Sequence, residues 1–264
     1  MPDLNKVVSI VKRAGDEELK PRFRNISFSH KADGSVLTEA DLASQKLIES
    51  ELSKNWPDIG FLGEEMTPEE QASILKGSGS FWCLDPLDGT LNYSCGVPLY
   101  AVSLALIQNG DIVMGVIYDP SSGECFTGEK GKASRLNGEI LGKKIPQAEL
   151  ARGIGLIDIK RLKPDLINRM FSGQRPFQSQ RSIGSVALEW CWMAAGRFHV
   201  YLHGSQNLWD YAAGHLILEG AGGHSCTMEG EPVFNNTLEK RSAVCALTED
   251  IFMEWKNYLN IPST

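Results

Sequence analysis

Four acidic residues stand where the pattern of the chain changes: Glu64 after Phe61-Leu62-Gly63, Asp85 and Asp88 after Phe81-Trp82-Cys83-Leu84, and Asp210 after Leu208-Trp209. Carboxylates offer hard oxygen atoms, which suit Mg²⁺ and Mn²⁺, and acids gathered from separate segments repel one another unless cations lie among them. Cations held there could bridge the acids to a phosphate, lower the pKa of a water and stabilise a leaving oxygen. Each acid taken singly has a plainer explanation, because Asp favours turns and helix caps through bonds to its own backbone. Asp210 suits the N-cap of a helix. Thr38-Glu39-Ala40-Asp41 fits a capping box in which Asp replaces Glu or Gln. Spacing alone leaves cap and ligand both open.

Other phosphate and hydrolase devices are missing from the chain: there is no GxxxxGK[ST] loop, no GxSxG elbow and no HExxH helix. Asp85 and Asp88 have two residues between them, where the aspartyl-phosphate phosphatases have one. That spacing turns the second carboxylate away from a nucleophile's acid partner, so metal ligation by both is the better reading. The formal net charge of -7 and pI near 5.3 argue against a DNA or general nucleic-acid binder, which needs a basic face. Positive charge for a phosphate must then be supplied locally, and bound cations would supply it. The six cysteines form no zinc spacing and read as reduced, mostly buried thiols. No apolar run approaches the ~20 residues of a membrane span, and no signal peptide opens the chain, so a cytoplasmic protein without a membrane partner is expected.

The elements that must position the acids follow from periodicity. Residues 3 to 20 carry a helical apolar pattern, Phe28 to Leu37 reads as a polar loop or loose hairpin, and Thr38 opens a second helix. Strands are expected at Asp58 to Leu62 and at Phe81 to Leu84, the latter running into a polar turn over Asp85 to Thr90. Tyr100 to Ile107 and Ile112 to Tyr118 read as a hairpin about Asn109-Gly110, with Cys125 to Thr127 as a third strand. Further on, helices are expected at Pro164 to Phe171, Ser185 to Ala195 and Trp209 to Glu219. Strands are expected at Phe198 to Leu202 and Ser242 to Leu247, before a C-terminal helix. The mixture predicts an α+β, antiparallel-leaning half over residues 1–145 and an α/β half over 146–264, packed as one layered body.

The segment Trp82-Cys83-Leu84-Asp85-Pro86-Leu87-Asp88-Gly89-Thr90-Leu91-Asn92-Tyr93 resembles the first signature of the inositol monophosphatase family, and Leu208 to Gly214 resembles its second. Gly63-Glu64-Glu65 and the run from Lys31 through Thr38 to Asp41 fall in the expected order upstream. The resemblance implies an αβαβα sandwich, usually dimeric, that hydrolyses a small-molecule phosphomonoester with two or three Mg²⁺ ions, Mn²⁺ being a possible substitute, and that is often inhibited by Li⁺. It makes Glu64, Asp85, Asp88, Asp210 and the Leu87 carbonyl the metal ligands. It makes Glu64 the group that orients a metal-activated water, with Thr90 and Asp41 as a supporting pair. It brings the N–H groups of Gly89 and Thr90 to the phosphate and puts Lys31 on a loop near the metals. Ser35 stands where the family has an aspartate, which would loosen a third metal site. Ser182, Gly184 and Ser185 match substrate contacts, as does His203, which occupies the place of a glutamate that in inositol-phosphate enzymes meets a pair of hydroxyls. An imidazole cannot offer two acceptor oxygens, which weakens the case for inositol phosphate itself. Fructose-bisphosphatase, histidinol-phosphatase and nucleotide 3′-phosphatase activities are the rivals, the last served by any basic or aromatic shelf that Arg197, His199 and His203 could form. A regulatory or RNA-associated binding protein is the non-enzyme alternative.

Overall fold

The computed structural model describes residues 1–24, 28–30, 36–77, 79–143, 149–172 and 175–262. Helix α1 (Leu4–Ala14) starts at Asp3, whose carboxylate accepts from Lys6 N at 2.9 Å, and buries Val7, Ile10, Val11 and Ala14 along one stripe. Strands β1 (Phe28–His30) and β2 (Val36–Thr38) pair antiparallel as a hairpin and lead into α2 (Glu39–Asn55).

A seven-stranded sheet follows. It is built from β3 (Gly60–Gly63), β4 (Ser80–Asp88), β5 (Ala101–Gln108), β6 (Asp111–Asp119), β7 (Glu124–Glu129), β8 (Arg135–Leu136) and β9 (Glu139–Ile140), in that spatial order. Only the β3–β4 pair is parallel, joined over α3 (Pro68–Gly77). The short α4 (Thr90–Ser94) links β4 to β5. Asn109 and Gly110 both take positive φ, 52° and 82°, the two-residue turn that matches the twist of a hairpin.

The second sheet has the order β11-β10-β12-β14-β13. It comprises β10 (Ile154–Asp158), β11 (Ser179–Arg181), β12 (Val200–Gln206), β13 (His224–Cys226) and β14 (Arg241–Ala246), interleaved with α5 (Pro164–Ser172), α6 (Val186–Ala194), α7 (Leu208–Gly220) and the final α8 (Glu249–Leu259). Strand β10 runs parallel to β11 and β12, and β14 runs against β12 and β13.

Alternation along the strands sorts these elements into five layers. Trp82 and Leu84 on β4 pack with Val7, Val11, Ile48 and Leu52 of α1 and α2. Phe81 and Cys83, one residue out of step, join Leu188, Trp190, Tyr211 and Ala213 of α6 and α7, and Tyr201 and Cys245 close that layer from the second sheet. Val200, Leu202 and Val244 on the opposite face meet Met170, Phe252 and Trp255 from α5 and α8. The order is αβαβα, as the resemblance implied.

Two expectations change. The segment read as a turn from Asp85 is strand as far as Asp88, and α3 was not expected. Its signal was present, since Thr67-Pro68-Glu69-Glu70 is a capping box with proline at the first helical position. Thr67 N donates to Glu70 Oε2 at 2.9 Å, and Glu70 N to Thr67 Oγ1 at 3.3 Å.

Helix α7 lies directly on β6, because a Cβ at Gly115 would stand 2.9 Å from the Ala213 carbonyl oxygen. Gly115→Ala should therefore destabilise the protein by about 1–3 kcal/mol through overpacking. Urea unfolding checks this, and an unchanged midpoint would mean that helix and strand do not meet there.

Candidate active site

In an unbroken strand residues three apart face opposite sides, so Asp85 and Asp88 should diverge. They do not, because β4 carries a bulge. Asp85 pairs with Ser103 and Asp88 with Ala101, so three steps on β4 match two on β5. The extra residue restores both carboxylates to one face, the face toward α6 and α7. Pro86, which has no N–H to give a neighbouring strand, sits inside the bulge.

Each aspartate is aimed by hydrogen-bond donors, from its own strand for Asp85 and from outside its own element for Asp88, Asp210 and Asp41. Asp85 Oδ1 accepts from Leu87 N at 3.0 Å. Asp88 Oδ2 accepts from the Ser185 hydroxyl and, at 2.8 Å, from Ala187 N in the first turn of α6, which Ser185 caps. Asp210 Oδ2 accepts from Asn207 N at 2.8 Å and from Asn207 Nδ2 at 3.2 Å. Asn207, not Asp210, is therefore the N-cap of α7, with Asp210 closing the capping box. Asp41 does the same for α2, taking Thr38 N at 2.8 Å and Thr38 Oγ1 at 2.5 Å on Oδ2. Its Oδ1 receives Thr90 Oγ1 at 3.3 Å, while that hydroxyl also lies 2.9 Å from the Leu87 carbonyl. Glu64 extends β3 by one rung, since its N–H donates to Leu84 O at 3.0 Å. That places it beside the end of β4.

The electrostatics record the crowding. Burial first, then the charges of Glu64, Asp88 and Asp210, push the Asp85 carboxyl well above the usual range. Burial, Asp88 and Glu64 do the same to Asp210. Asp88 is raised by burial to about 7, even though the Ser185 and Ala187 bonds oppose the rise. Among the described residues no three His, Cys, Asp or Glu side chains stand ready to hold a metal ion. The donor set nevertheless fits hard divalent cations: in Asp85, Asp88 and Asp210 one oxygen is anchored, and the other takes no hydrogen bond from a described residue. Anchored carboxylates of this kind are what orient ligands around an ion.

Gly89 takes φ +90° at the start of α4, and a Cβ there would meet the Leu99 carbonyl oxygen at 2.8 Å. Only glycine fits both demands. Three further residues, not singled out in the sequence, build the surroundings. Asn92 Nδ2 donates to Leu99 O and Ile183 O, each at 2.9 Å. Buried Glu189 accepts from Ile183 N at 3.0 Å and Gly184 N at 3.4 Å, so these two side chains fix the loop that delivers Ser185 to Asp88. Gln71 Nε2 donates to Gly63 O at 2.9 Å and Glu64 O at 3.3 Å. Their sequence signal is slight, because each bonds backbone beyond the reach of a helical or strand period, Asn92 across to Ile183.

His203 is 5% exposed, and both of its ring nitrogens are engaged. Nε2 lies 3.3 Å from Asp158 Oδ2, and Nδ1 accepts from Ser205 N at 3.2 Å. Burial pushes the Asp158 carboxyl up, but the His203 bond and charge, with Lys160 N, outweigh it and hold the group below its ordinary value. The shelf that Arg197, His199 and His203 could have formed is absent, since each is engaged elsewhere. His199 Nδ1 accepts from Ile154 N at 3.0 Å, at the opposite end of β10 from Asp158, and Arg197 pairs with Glu124. Ser182 and Gly184 are exposed beside the capped start of α6. Lys31 and Ser35 lie outside the described residues.

Comparison with known proteins gives a consistent set. The family model described as the inositol monophosphatase family matches residues 3–258. An inositol-1-monophosphatase of Mesorhizobium japonicum is 34% identical over 233 residues, covering 86% of each chain. The Nus factor SuhB of Xylella fastidiosa is 30% identical over 247 residues, covering 87% of this chain and 83% of that one. Among solved structures, the extragenic suppressor protein suhB of Bartonella henselae superimposes with a TM-score of 0.83 at 29% identity, over 97% of both chains.

The raised Asp88 carboxyl has a thermodynamic consequence. Between its ordinary value of 3.8 and about 7 the folded chain binds this proton more tightly than the unfolded chain, so this group's contribution to stability falls as pH rises. In excess chelator, wild type should lose stability relative to Asp88→Asn across that window. Parallel denaturation curves for the two proteins would show the carboxyl to be unperturbed.

Proposed function

The chain belongs to the inositol monophosphatase family and is a phosphoric monoester hydrolase, and from that premise we propose that it cleaves the phosphate ester of a small polyol, sugar or amino alcohol at the acidic cluster. The observation that carries the reading is the gathering of Glu64, Asp85, Asp88 and Asp210 from separate segments into mutual repulsion. Burial and neighbouring carboxylates push three of them upward. Such a cluster is costly unless cations occupy it.

Glu64, Asp85, Asp88, Asp210 and the Leu87 carbonyl would hold Mg²⁺, which supplies positive charge for the phosphoryl oxygens and for a developing leaving-group oxyanion. The residues of the chain do the rest. Glu64 orients the attacking water from the end of β3. Thr90 has one hydroxyl proton and two acceptors, the Leu87 carbonyl at 2.9 Å and Asp41 at 3.3 Å. With that hydrogen bond given to Asp41, the Thr90 oxygen would keep a lone pair to accept from the water. The N–H groups of Gly89 and Thr90 receive the phosphate. Ser185 holds Asp88. His203 closes the leaving-group wall with an imidazole already satisfied by Asp158 and Ser205, which favours a leaving group other than a vicinal diol.

A second reading, a regulatory binding role, is favoured by the relative named Nus factor SuhB. Asp88→Asn would then keep cellular function while losing esterase activity.

Phosphate release from inositol, fructose-bis-, histidinol and adenosine 3′,5′-phosphates should require Mg²⁺. In Asp85→Asn or Asp210→Asn it should fall by more than about a hundredfold, beyond what loss of an outer partner costs. Full turnover in excess chelator would overturn the proposal, and the preferred ester in the panel identifies the substrate class.

A further inference from the structure

The second sheet has a carboxyl edge, where parallel α/β strands commonly bind ligands. Strands β10, β12 and β13 end there, and β14 begins there. At that edge lies a cavity of about 180 Å³ whose wall includes Arg161, Lys163, Lys240, Arg241, Thr227 and Ser242. Among the described residues Arg161, Lys163 and Lys240 have no acidic partner within ion-pair distance. Arg241 is tethered, its Nη2 donating at 2.8 Å to both Glu231 Oε2 and Pro232 O, and its Nε to Val233 O at 3.2 Å. The acid in the wall is Glu229, which takes the Ser242 hydroxyl at 3.4 Å. Four cations thus stand against two carboxylates, Glu229 in the wall and Glu231 bonded to Arg241, a local excess of positive charge in a protein of net charge -7.

The wall is built rather than incidental. A Cβ at Gly204 would stand 2.2 Å from the Arg161 carbonyl oxygen, so Arg161 can lie against β12 only because position 204 is glycine. Thr227 is 1% exposed, and its Oγ1 accepts from Glu229 N at 3.2 Å and Glu231 N at 3.1 Å. Its own hydroxyl proton has no acceptor among the described residues, which leaves a donor beside the cations. The volume is below the ~300–1,000 Å³ of pockets for drug-sized ligands, so the occupant is a compact group. Guanidinium and ammonium groups and a hydroxyl lining one such space match a tetrahedral oxyanion.

We propose that this cavity is an accessory phosphoryl-binding site, distinct from the acidic cluster. The phosphoryl group comes either from a separate phosphate-bearing small molecule or from the second phosphate of a substrate seated at the cluster. The latter source rests on the function proposed above.

Calorimetric titration of the full chain with inorganic phosphate in excess chelator tests the site without catalysis, since the uncompensated acids repel an anion. Wild type should bind saturably, the Arg161→Ala/Lys240→Ala variant at least about tenfold more weakly, and Lys240→Arg near wild type. Should the double variant lose its fold by circular dichroism, Lys163→Gln, at an exposed position, carries the same comparison. In a second arm, a KM increase for a sugar bisphosphate but not for a monophosphate assigns the site to the substrate's second phosphate. Unchanged KM for both, with phosphate binding weakened, assigns it to a separate molecule. Absence of saturable binding, or binding unchanged in the variants, overturns the proposal whether or not the protein proves to be a phosphatase.

Discussion

Bringing like charges together in a poorly solvated place is the constraint around which this molecule is arranged. Asp85 and Asp88 are 3% and 7% exposed, and Asp41 is fully buried. Nothing in hydrophobic packing favours that arrangement. The fold meets the cost with backbone donors. The first turns of α2, α6 and α7 all point toward the acids, so that N–H groups and the positive ends of helices face negative charge. The layer order follows from the same need, because α6 and α7 can reach the end of β4 only from between the two sheets. The close approach of α7 to β6 at Gly115 keeps Asp210 at that height.

Cap and ligand, which look like rival readings of an aspartate, prove compatible. Asp41 and Asp210 each spend one oxygen on a capping box and turn the carboxyl so that the other oxygen has a defined direction. Asp88 gains the same control across a sequence separation of nearly a hundred residues, through Ser185 and Ala187. A residue already fixed by its helix loses little freedom when it binds something else, which is the general advantage of preorganisation.

The sequence was most legible where the physics is local. The α1 stripe, the Asn109-Gly110 turn, the capping box at Thr38 and the strand leading to Asp85 rest on periods and turn chemistry within a few residues. The two signatures and the Gly63-Glu64-Glu65 segment located the acids but not how they meet. The bulge at Asp85 to Asp88 is invisible to a period of two, because its cause is the pairing with β5. The three-residue β11 and β13 are too short to show a period. The engagement of His203 depends on parallel pairing of β10 with β12, which sets Asp158 opposite His203. Asn92 acts on a loop that is remote in sequence, so no local pattern marks it.

The division of labour between the halves of the chain also bears on how the protein comes to be made. Glu64, Asp85 and Asp88 are synthesised early, whereas Ser185, Ala187 and Asn207, which steady the cluster, emerge about a hundred residues later. A ribosome adding about 5–20 residues per second exposes the early acids for several seconds before their donors exist. During that interval Asp88 lacks the two donors that hold it in the finished protein. Completion of the cluster is thus coupled to arrival of α6 and α7, and a chain truncated before α6 would keep its first sheet's hydrophobic pattern yet carry unsupported charge at the rim.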